Sequence, residues 1–311
     1  MLKKLLLAGG ALVLATGTAS AQEELNSIGI TLGSLGNPFF VALAEGAEAK
    51  AKEINPDVTV NTASADYDLN KQFTQIDNFI AAGVDMILLN AADPQAIAPA
   101  VKRAQAAGIV VVAVDVAAAG VDATVQTNNV QAGQIACEYI AEKLGEEGGE
   151  VIIQNGPQVS AVIDRVKGCK EVLAQNPNIE ILSDDQDAKG SREGGLNVMQ
   201  GHLTRFPEID AVFTINDPQA IGSDLAAKQL GRSEMIITSV DGAPDIEGAL
   251  KGNTLIQASA SQDPYAMAQQ AVEVGYKIMN GEKPEESMIL MPSNLITRDN
   301  VAEYKGWTSP R

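Results

Sequence analysis

The sequence predicts an α/β fold of two doubly wound parallel-sheet lobes. Short β-branched runs alternate with longer alanine-rich stretches, and the runs are apolar on both faces, as strands are when helices cover both sides of a parallel sheet. The alternation passes through one complete series by about residue 114 and starts a second near residue 150. A chain of 311 residues also suits two domains better than one, at about 150 residues each.

In the first series "SIGITLG" (27–33) reads as a buried strand, and a helix over 38–53 opens at Asn37-Pro38, where proline fits the first helical turn. "VTVNTA" (58–63) is a second strand, followed by a helix over about 69–82. "DMILLN" (85–90), a helix near 94–107 and "IVVVAV" (109–114) complete the series, which right-handed crossovers wind into one lobe. The second series has strands "EVIIQN" (150–155), "IEILS" (179–183), "DAVFTI" (210–215), "MIITSV" (235–240) and "LIQASA" (255–260). Its helices fall near 129–144, 160–175, 190–205, 217–230 and 243–250. A long helix over 263–280 and a short strand "MILM" (288–291) follow. The glycine-rich "GEEGGE" (145–150) is a turn, and no low-complexity linker separates the lobes.

Residues 1–21 stand outside this alternation. Lys3 and Lys4 precede an apolar run from Leu5 to Leu14, and Thr18-Ala19-Ser20-Ala21 ends in a small-x-small pattern before polar Gln22-Glu23-Glu24. This is the layout of an export leader cleaved after Ala21. The apolar run falls short of the roughly 20 residues a membrane span needs. No cysteine follows it to carry a lipid anchor. The expected product is an exported, soluble mature chain from Gln22.

The net charge is −18, and loss of Lys3 and Lys4 takes it to −20. Such a surface repels nucleic acid and anionic lipid, and excludes both as partners. Cys137 and Cys169 are the two cysteines, in helices flanking the strand at 150–155. An oxidising compartment allows them to pair, and two buried thiols fit equally well. With one histidine, His202, they offer no metal-ligand spacing, and no cofactor is expected.

Enzyme signatures fail individually. The first strand-to-helix turn is "GSLGNPFF", not G-x-G-x-x-G, and Pro38 with two phenylalanines crowds the position a dinucleotide phosphate would take. There is no G-x-S-x-G elbow and no Walker A loop. His202 in "GHLTRF" sits on an ordinary helix, where a solvated or capping role is expected. The export leader and acidic surface argue against a DNA-binding regulator.

In open α/β sheets, ligands bind beyond the carboxyl ends of the strands. Those ends carry Asn37, Phe39 and Phe40 after the first strand, Asn90 after the third and Asp115 after the fourth. In the second series they carry Asn216 with Asp217, Asp241 with Gly242, and Gln262. Asn, Asp and Gln side chains offer the acceptors and donors that neighbouring hydroxyls engage. Phe39 and Phe40 offer an apolar face, or act as core anchors. Arg165, early in a second-lobe helix, offers a fixed fork of donors, or pairs with Asp164 or Glu171 on its own helix. Any one Asn or Asp here is also a common turn former or cap. Their recurrence at strand ends of both lobes is what points to a neutral polyhydroxyl ligand.

The segments "GNPFF" (36–40), "GVDMILLNAADPQAI" (83–97), "GLNVMQ" (195–200), "AVFTINDPQAIG" (211–222) and "VDGAPD" (240–245), in this order and spacing, resemble the ribose-binding type of periplasmic sugar-binding proteins, the substrate-binding components of ABC importers. The resemblance covers essentially the whole mature chain. It implies a type I periplasmic binding fold without enzymatic activity, with lobes of 22–127 plus 262–291 and of 128–261 plus 292–311. Three crossings near 127–128, 261–262 and 291–292 would form the hinge. It also implies a monomer that delivers a monosaccharide or sugar alcohol to a permease, with a chemotaxis co-receptor role compatible. The implied ligand contacts are Asn37, Phe39, Phe40, Asn90, Asp115, Arg165, Asn216, Asp241 and Gln262. Two positions depart from the family pattern: Val116 stands where ribose-type proteins have arginine, and Gly190 where they have an aromatic. Both departures point to a ligand other than ribose, either another pyranose or an acyclic polyol. Trp307, in the tail, is expected to report closure poorly.

Overall fold

The structure, a computed structural model, describes residues 23–307. The expected leader and its cleavage after Ala21 lie outside these residues. In chain order the first part runs β1 (Ser27–Leu32), α1 (Pro38–Ile54), β2 (Thr59–Ser64), α2 (Leu69–Ala82), β3 (Met86–Leu89), α3 (Ala98–Ala106), β4 (Val110–Val114) and β5 (Ala123–Thr127). The second runs α4 (Asn129–Leu144), β6 (Gly149–Gln154), α5 (Ser160–Leu173), β7 (Ile179–Ser183), α6 (Arg192–Arg205), β8 (Ala211–Thr214), α7 (Asp217–Gln229), β9 (Ile236–Asp241), α8 (Pro244–Lys251) and β10 (Ile256–Ser261). The chain closes with α9 (Pro264–Met279), β11 (Met288–Met291) and β12 (Leu295–Thr297).

These strands form two six-stranded sheets, ordered β11-β5-β4-β3-β1-β2 and β12-β10-β9-β8-β6-β7. Every pairing is parallel except that of β12 with β10. The fold class read from the sequence therefore holds. The chain leaves the first sheet after β5, returns after β10 to add α9 and β11, and leaves again to add β12 to the second sheet. Among the described residues, no helix is long and apolar enough to cross a membrane.

Local chemistry sets the element ends. Asn37 caps α1 by accepting from the Phe39 amide, and Asp68 caps α2 by accepting from Asn70 and Lys71. The helix expected from 94 begins at Ala98, because Asp93 captures the amides of Gln95 and Ala96 and turns that stretch. The helix expected from 190 begins at Arg192, after left-handed Lys189 and Gly190 and a Ser191 cap. Strands β5 and β12 have no counterpart in the sequence reading. Polar Thr124, Gln126 and Thr127 break the apolar pattern of β5 although all are buried, and β12 is only 3 residues long.

Helices α4 and α5 meet backbone to backbone. A methyl group at Gly133 would lie 2.0 Å from the Arg165 carbonyl oxygen, and one at Gly168 would lie 2.1 Å from that of Val130. This approach puts Cys137 and Cys169 5.1 Å apart at Cα, joined in a disulfide that closes the open choice between pairing and free thiols. The bond closes a loop across a sequence separation of 32. Replacing both cysteines with alanine should therefore cost about 3–4 kcal/mol in a denaturant titration, without moving Arg165 enough to abolish ligand binding.

His202 corrects the sequence reading. It is buried on α6 and stacked on Phe206 at 6.1 Å, neither solvated nor a cap, and burial pushes its imidazole pKa down. Trp307, in the tail, is buried. Its ring packs edge-on to Phe39 at 5.8 Å, and its Nε1 donates to the Gln262 carbonyl at 2.9 Å.

Candidate functional site

The carboxyl ends of both sheets face each other across an inner cavity of about 40 Å³. All the sequence-predicted site residues line it: Asn37, Phe39, Phe40, Asn90, Asp115, Arg165, Asn216, Asp241 and Gln262. It opens toward an outer cleft of about 760 Å³, and Asn37, Tyr67, Pro157 and Gly190 line both spaces. The halves also touch directly, since the Ala117 amide donates to Ser160 Oγ at 2.7 Å.

Asn90 ends β3, fully buried. Its Nδ2 donates to Asp115 Oδ2 at 2.8 Å and to the Val114 carbonyl at 3.2 Å. Gln72 on α2 fixes this turn, donating to the Asn90 carbonyl and accepting from the Ala92 amide. From α5, Arg165 Nε donates to Asn129 Oδ1 at 2.9 Å and Nη1 to the Ile215 carbonyl at 2.8 Å. The same Nη1 lies 3.7 Å from Asp241 Oδ1. Arg165 thus spans α4, β8 and β9, and the helix-surface pairing with Asp164 or Glu171 does not form. Gln262, between β10 and α9, donates from Nε2 to Asp241 Oδ1 at 2.7 Å.

Asn37 and Asn216 serve as helix caps and cavity walls at once. Asn216 accepts from the Gln219 amide and donates to the Gly190 carbonyl at 2.9 Å. Phe39 and Phe40 are likewise both core and wall, buried with centroids 5.3 Å apart. Asp115 (φ 67°) and Asp241 (φ 138°) adopt positive φ, a conformation non-glycine residues hold at a cost of order 1–3 kcal/mol when the surroundings impose it.

Sequence reasoning named Asp217 only as a neighbour of Asn216. It lies under the site instead, accepting from Ser239 Oγ at 2.5 Å, Ser259 Oγ at 2.7 Å and the Ala243 amide at 2.7 Å. It thereby ties the ends of β9 and β10 beneath Asp241. Tyr67 and Pro157 were missed as wall residues. Val116 is fully buried in the cavity wall and adds no donor.

Electrostatics follow from burial. Desolvation raises the Asp115 carboxyl to about 6, against the lowering effects of Arg165 and the Asn90 hydrogen bond. Burial likewise raises Asp217 to about 6 despite its serine and backbone donors. It drives Asp241 well above the carboxylate range, helped by Asp217 and Asp115 and opposed by Arg165 and Gln262. These pKa values lie above their unfolded counterparts near 3.9. The stabilising protonation is therefore complete below about pH 4 and, for Asp115 and Asp217, is lost as pH rises through about 6, with Asp241 acting in the same direction. Thermal unfolding of the ligand-free protein should show stability increasing as pH falls from 7 to 5.

Three buried acceptors on this wall have no hydrogen-bond partner: Asn90 Oδ1, Asp241 Oδ2 and Gln262 Oε1. A buried polar atom left unpaired costs about 1–3 kcal/mol. Unpaired acceptors on three residues that line one cavity, beside carboxylates and a single guanidinium, suit a neutral molecule rich in hydroxyl donors.

Residues 28–283 match the family profile described as Periplasmic binding protein domain. The ribose import binding protein of Salmonella typhimurium is 33% identical over 271 residues, 86% of this chain and 90% of that protein. The D-apiose import binding protein of Paraburkholderia graminis is 34% identical, over 96% of this chain and 95% of that one. Among solved structures, an ABC transporter solute-binding protein from Bacillus halodurans with bound myo-inositol superposes with a TM-score of 0.83. It is 27% identical, covering 91% of this chain and 99% of that chain.

Proposed function

The chain belongs to the periplasmic binding protein domain family, and we propose that it captures a neutral sugar or sugar alcohol between its lobes and delivers it to the permease of an ABC importer. The observation that carries this reading is the set of unpartnered acceptors on Asn90, Asp241 and Gln262, residues that line one cavity from the first sheet, the second sheet and a crossing between them. The import roles and bound polyol of the similar proteins support the same chemistry. In this reading, Asn37, Asn90, Asp115, Asn216, Asp241 and Gln262 hold the hydroxyls. Arg165 donates to an oxygen and holds Asp241, and Phe39 and Phe40 meet C–H groups. With Val116 supplying no donor, acceptors dominate, and this favours an acyclic or cyclic polyol, or a pyranose other than ribose.

The lobes, 22–127 with 262–291 and 128–261 with 292–311, close about the crossings near 127–128, 261–262 and 291–292. Solute bridging both halves biases this equilibrium toward the closed form, and the joint surface is what the permease meets. The mature chain, freed by cleavage after Ala21, works in the periplasm as a monomer. A chemotaxis receptor would read the same closed surface.

The test is a thermal-shift screen of the mature chain against pentoses, hexoses, tetritols, pentitols, hexitols and inositols. A ligand at about 100 times its Kd adds roughly 2.7 kcal/mol, so a selective upward shift is expected. A well-folded, ligand-free sample that responds to none of these compounds would refute the substrate class. With a hit in hand, calorimetry should show affinity falling from pH 7 to pH 5, since protonation removes charged acceptors for ligand hydroxyls. That trend is opposite in sign to the stability of the free protein.

A further inference from the structure

The loop after β2 presents Tyr67 under constraint. Asp66 and Tyr67 both have left-handed backbones, with φ 52° and 58°, which is uncommon for non-glycine residues and rare in succession. Around them the Ala65 amide donates to the Leu32 carbonyl at 2.8 Å, and the Tyr67 amide to that of Gly33 at 3.2 Å. Asp66 is gripped by Ser64 Oγ at 2.6 Å and Lys71 Nζ at 2.5 Å. The ring lies edge-on to Phe40 at 6.3 Å. It sits so close to Gly33 that a methyl group there would fall 2.7 Å from Cε1.

From this anchored position the side chain crosses the cleft. A methyl group on Gly190, in the opposite lobe, would lie 3.9 Å from the Tyr67 hydroxyl. Gly190 has φ 59° and leaves that space open, while Tyr67 from the other side reaches into it. Both residues line the inner cavity and the outer cleft alike, so together with Asn37 and Pro157 they form the neck between the two.

The geometry points to Tyr67 as a specificity-determining residue: its ring ends the binding cavity at the neck, so the protein accepts free sugars or polyols and rejects their glycosides. This rests on the polyhydroxyl reading of the same site. A ring held by Gly33, Phe40 and a doubly left-handed loop has little freedom to swing aside for a substituent. Behind it the outer cleft has ample room for a second sugar unit, so the ring itself sets the limit on ligand size. Strain of this kind persists where surrounding structure over-determines it, and such sites cluster at ligand clamps.

The experiment is calorimetry with matched pairs: D-xylose and methyl β-D-xyloside, D-galactose and lactose, myo-inositol and galactinol. The wild type should bind the free member of at least one pair at least about 100-fold more tightly than its glycoside, the upper range for steric discrimination by a pocket. Tyr67→Ala should join cavity and cleft and reduce that ratio below about tenfold. Tyr67→Phe should keep the wild-type ratio, and Tyr67→Leu should fall between, with the unfolding midpoint of each verifying a folded sample. Equal affinity of the wild type for a free compound and its glycoside would overturn the proposal. So would an unchanged ratio in folded Tyr67→Ala and Tyr67→Leu. A wild type that binds no free compound of the whole thermal-shift panel overturns the polyhydroxyl reading and this proposal together, whereas binding without a Tyr67 effect overturns this proposal alone.

Discussion

Arg165→Met should raise Kd at least about 100-fold and lower the melting temperature. Arg165 is the only cation lining the inner cavity among the described residues, and it faces Asp241 while lowering both Asp115 and Asp241. Breaking a buried ion pair by removing one partner costs about 3–5 kcal/mol, because the remaining charge stays desolvated. The methionine fills space but leaves Asn129 Oδ1 and the Ile215 carbonyl without their donors. Both carboxyls then retain protons to higher pH, so the variant should gain more stability than wild type between pH 7 and pH 5. Arg165→Lys should not restore affinity. A single ammonium cannot reach Asn129 and Ile215 while also facing Asp241, as the planar fork does. Calorimetry with the best ligand, beside thermal melts at pH 5 and 7.5, reads every part of this. Unchanged affinity in folded Arg165→Met would reduce the residue to a structural strut.

Asp241→Asn should move stability and affinity in opposite directions. Its carboxylate is buried beside Asp217 and Asp115, so the charge opposes folding even with Arg165 and Gln262 attached. The amide keeps the shape and removes the repulsion from Asp217 and Asp115, while Arg165 still donates to Asn129 and the Ile215 carbonyl, so the ligand-free melting temperature should rise at pH 7.5. The same change replaces a charged acceptor with a neutral one and brings an NH₂ group to face Arg165 or the ligand. Kd should rise at least about 30-fold, the scale of losing a charge-assisted hydrogen bond in a buried site. A side chain kept for packing would lose stability on substitution, so this pair of signs identifies one kept for function at a cost in stability. Asp115→Ala should weaken binding strongly as well, with the fold retained. If neither aspartate variant changed affinity, the site assignment would be wrong.

Much of this site was legible because one rule applies repeatedly: polar residues just past buried parallel strands face the ligand crevice. Asn90 after "MILL", Asp115 after "VVVAV" and Asp241 at the end of "IITSVD" follow it directly. The same rule applied to β2 would have reached Tyr67, three residues past Ser64. It was passed over because β2 is an exposed edge strand with a weak apolar pattern. Other features had no sequence signal. The pairing of Arg165 with Asp241 joins residues 76 positions apart (165 to 241) and depends on how α5 packs on α4, which itself contacts β8 and β9. The Asp217 network depends on two serines from adjacent strands meeting one carboxylate. Burial of His202 was hidden because α6 carries glycines and polar residues where an amphipathic stripe would be expected. The tail's return to Phe39 rests on one tryptophan donating to the Gln262 carbonyl.

The central claim is that hydroxyls of a neutral ligand fill the cavity between the sheets and satisfy acceptors from both. The most direct measurement is a crystal structure of the mature chain with the strongest hit from the screen. The account predicts ligand oxygens within about 2.6–3.2 Å of Asn90 Oδ1, Asp241 Oδ2 and Gln262 Oε1, with Arg165 donating to a further oxygen and both lobes in contact with the ligand. A ligand seated only in the outer cleft, or held by one lobe with those acceptors still unpaired, would contradict it.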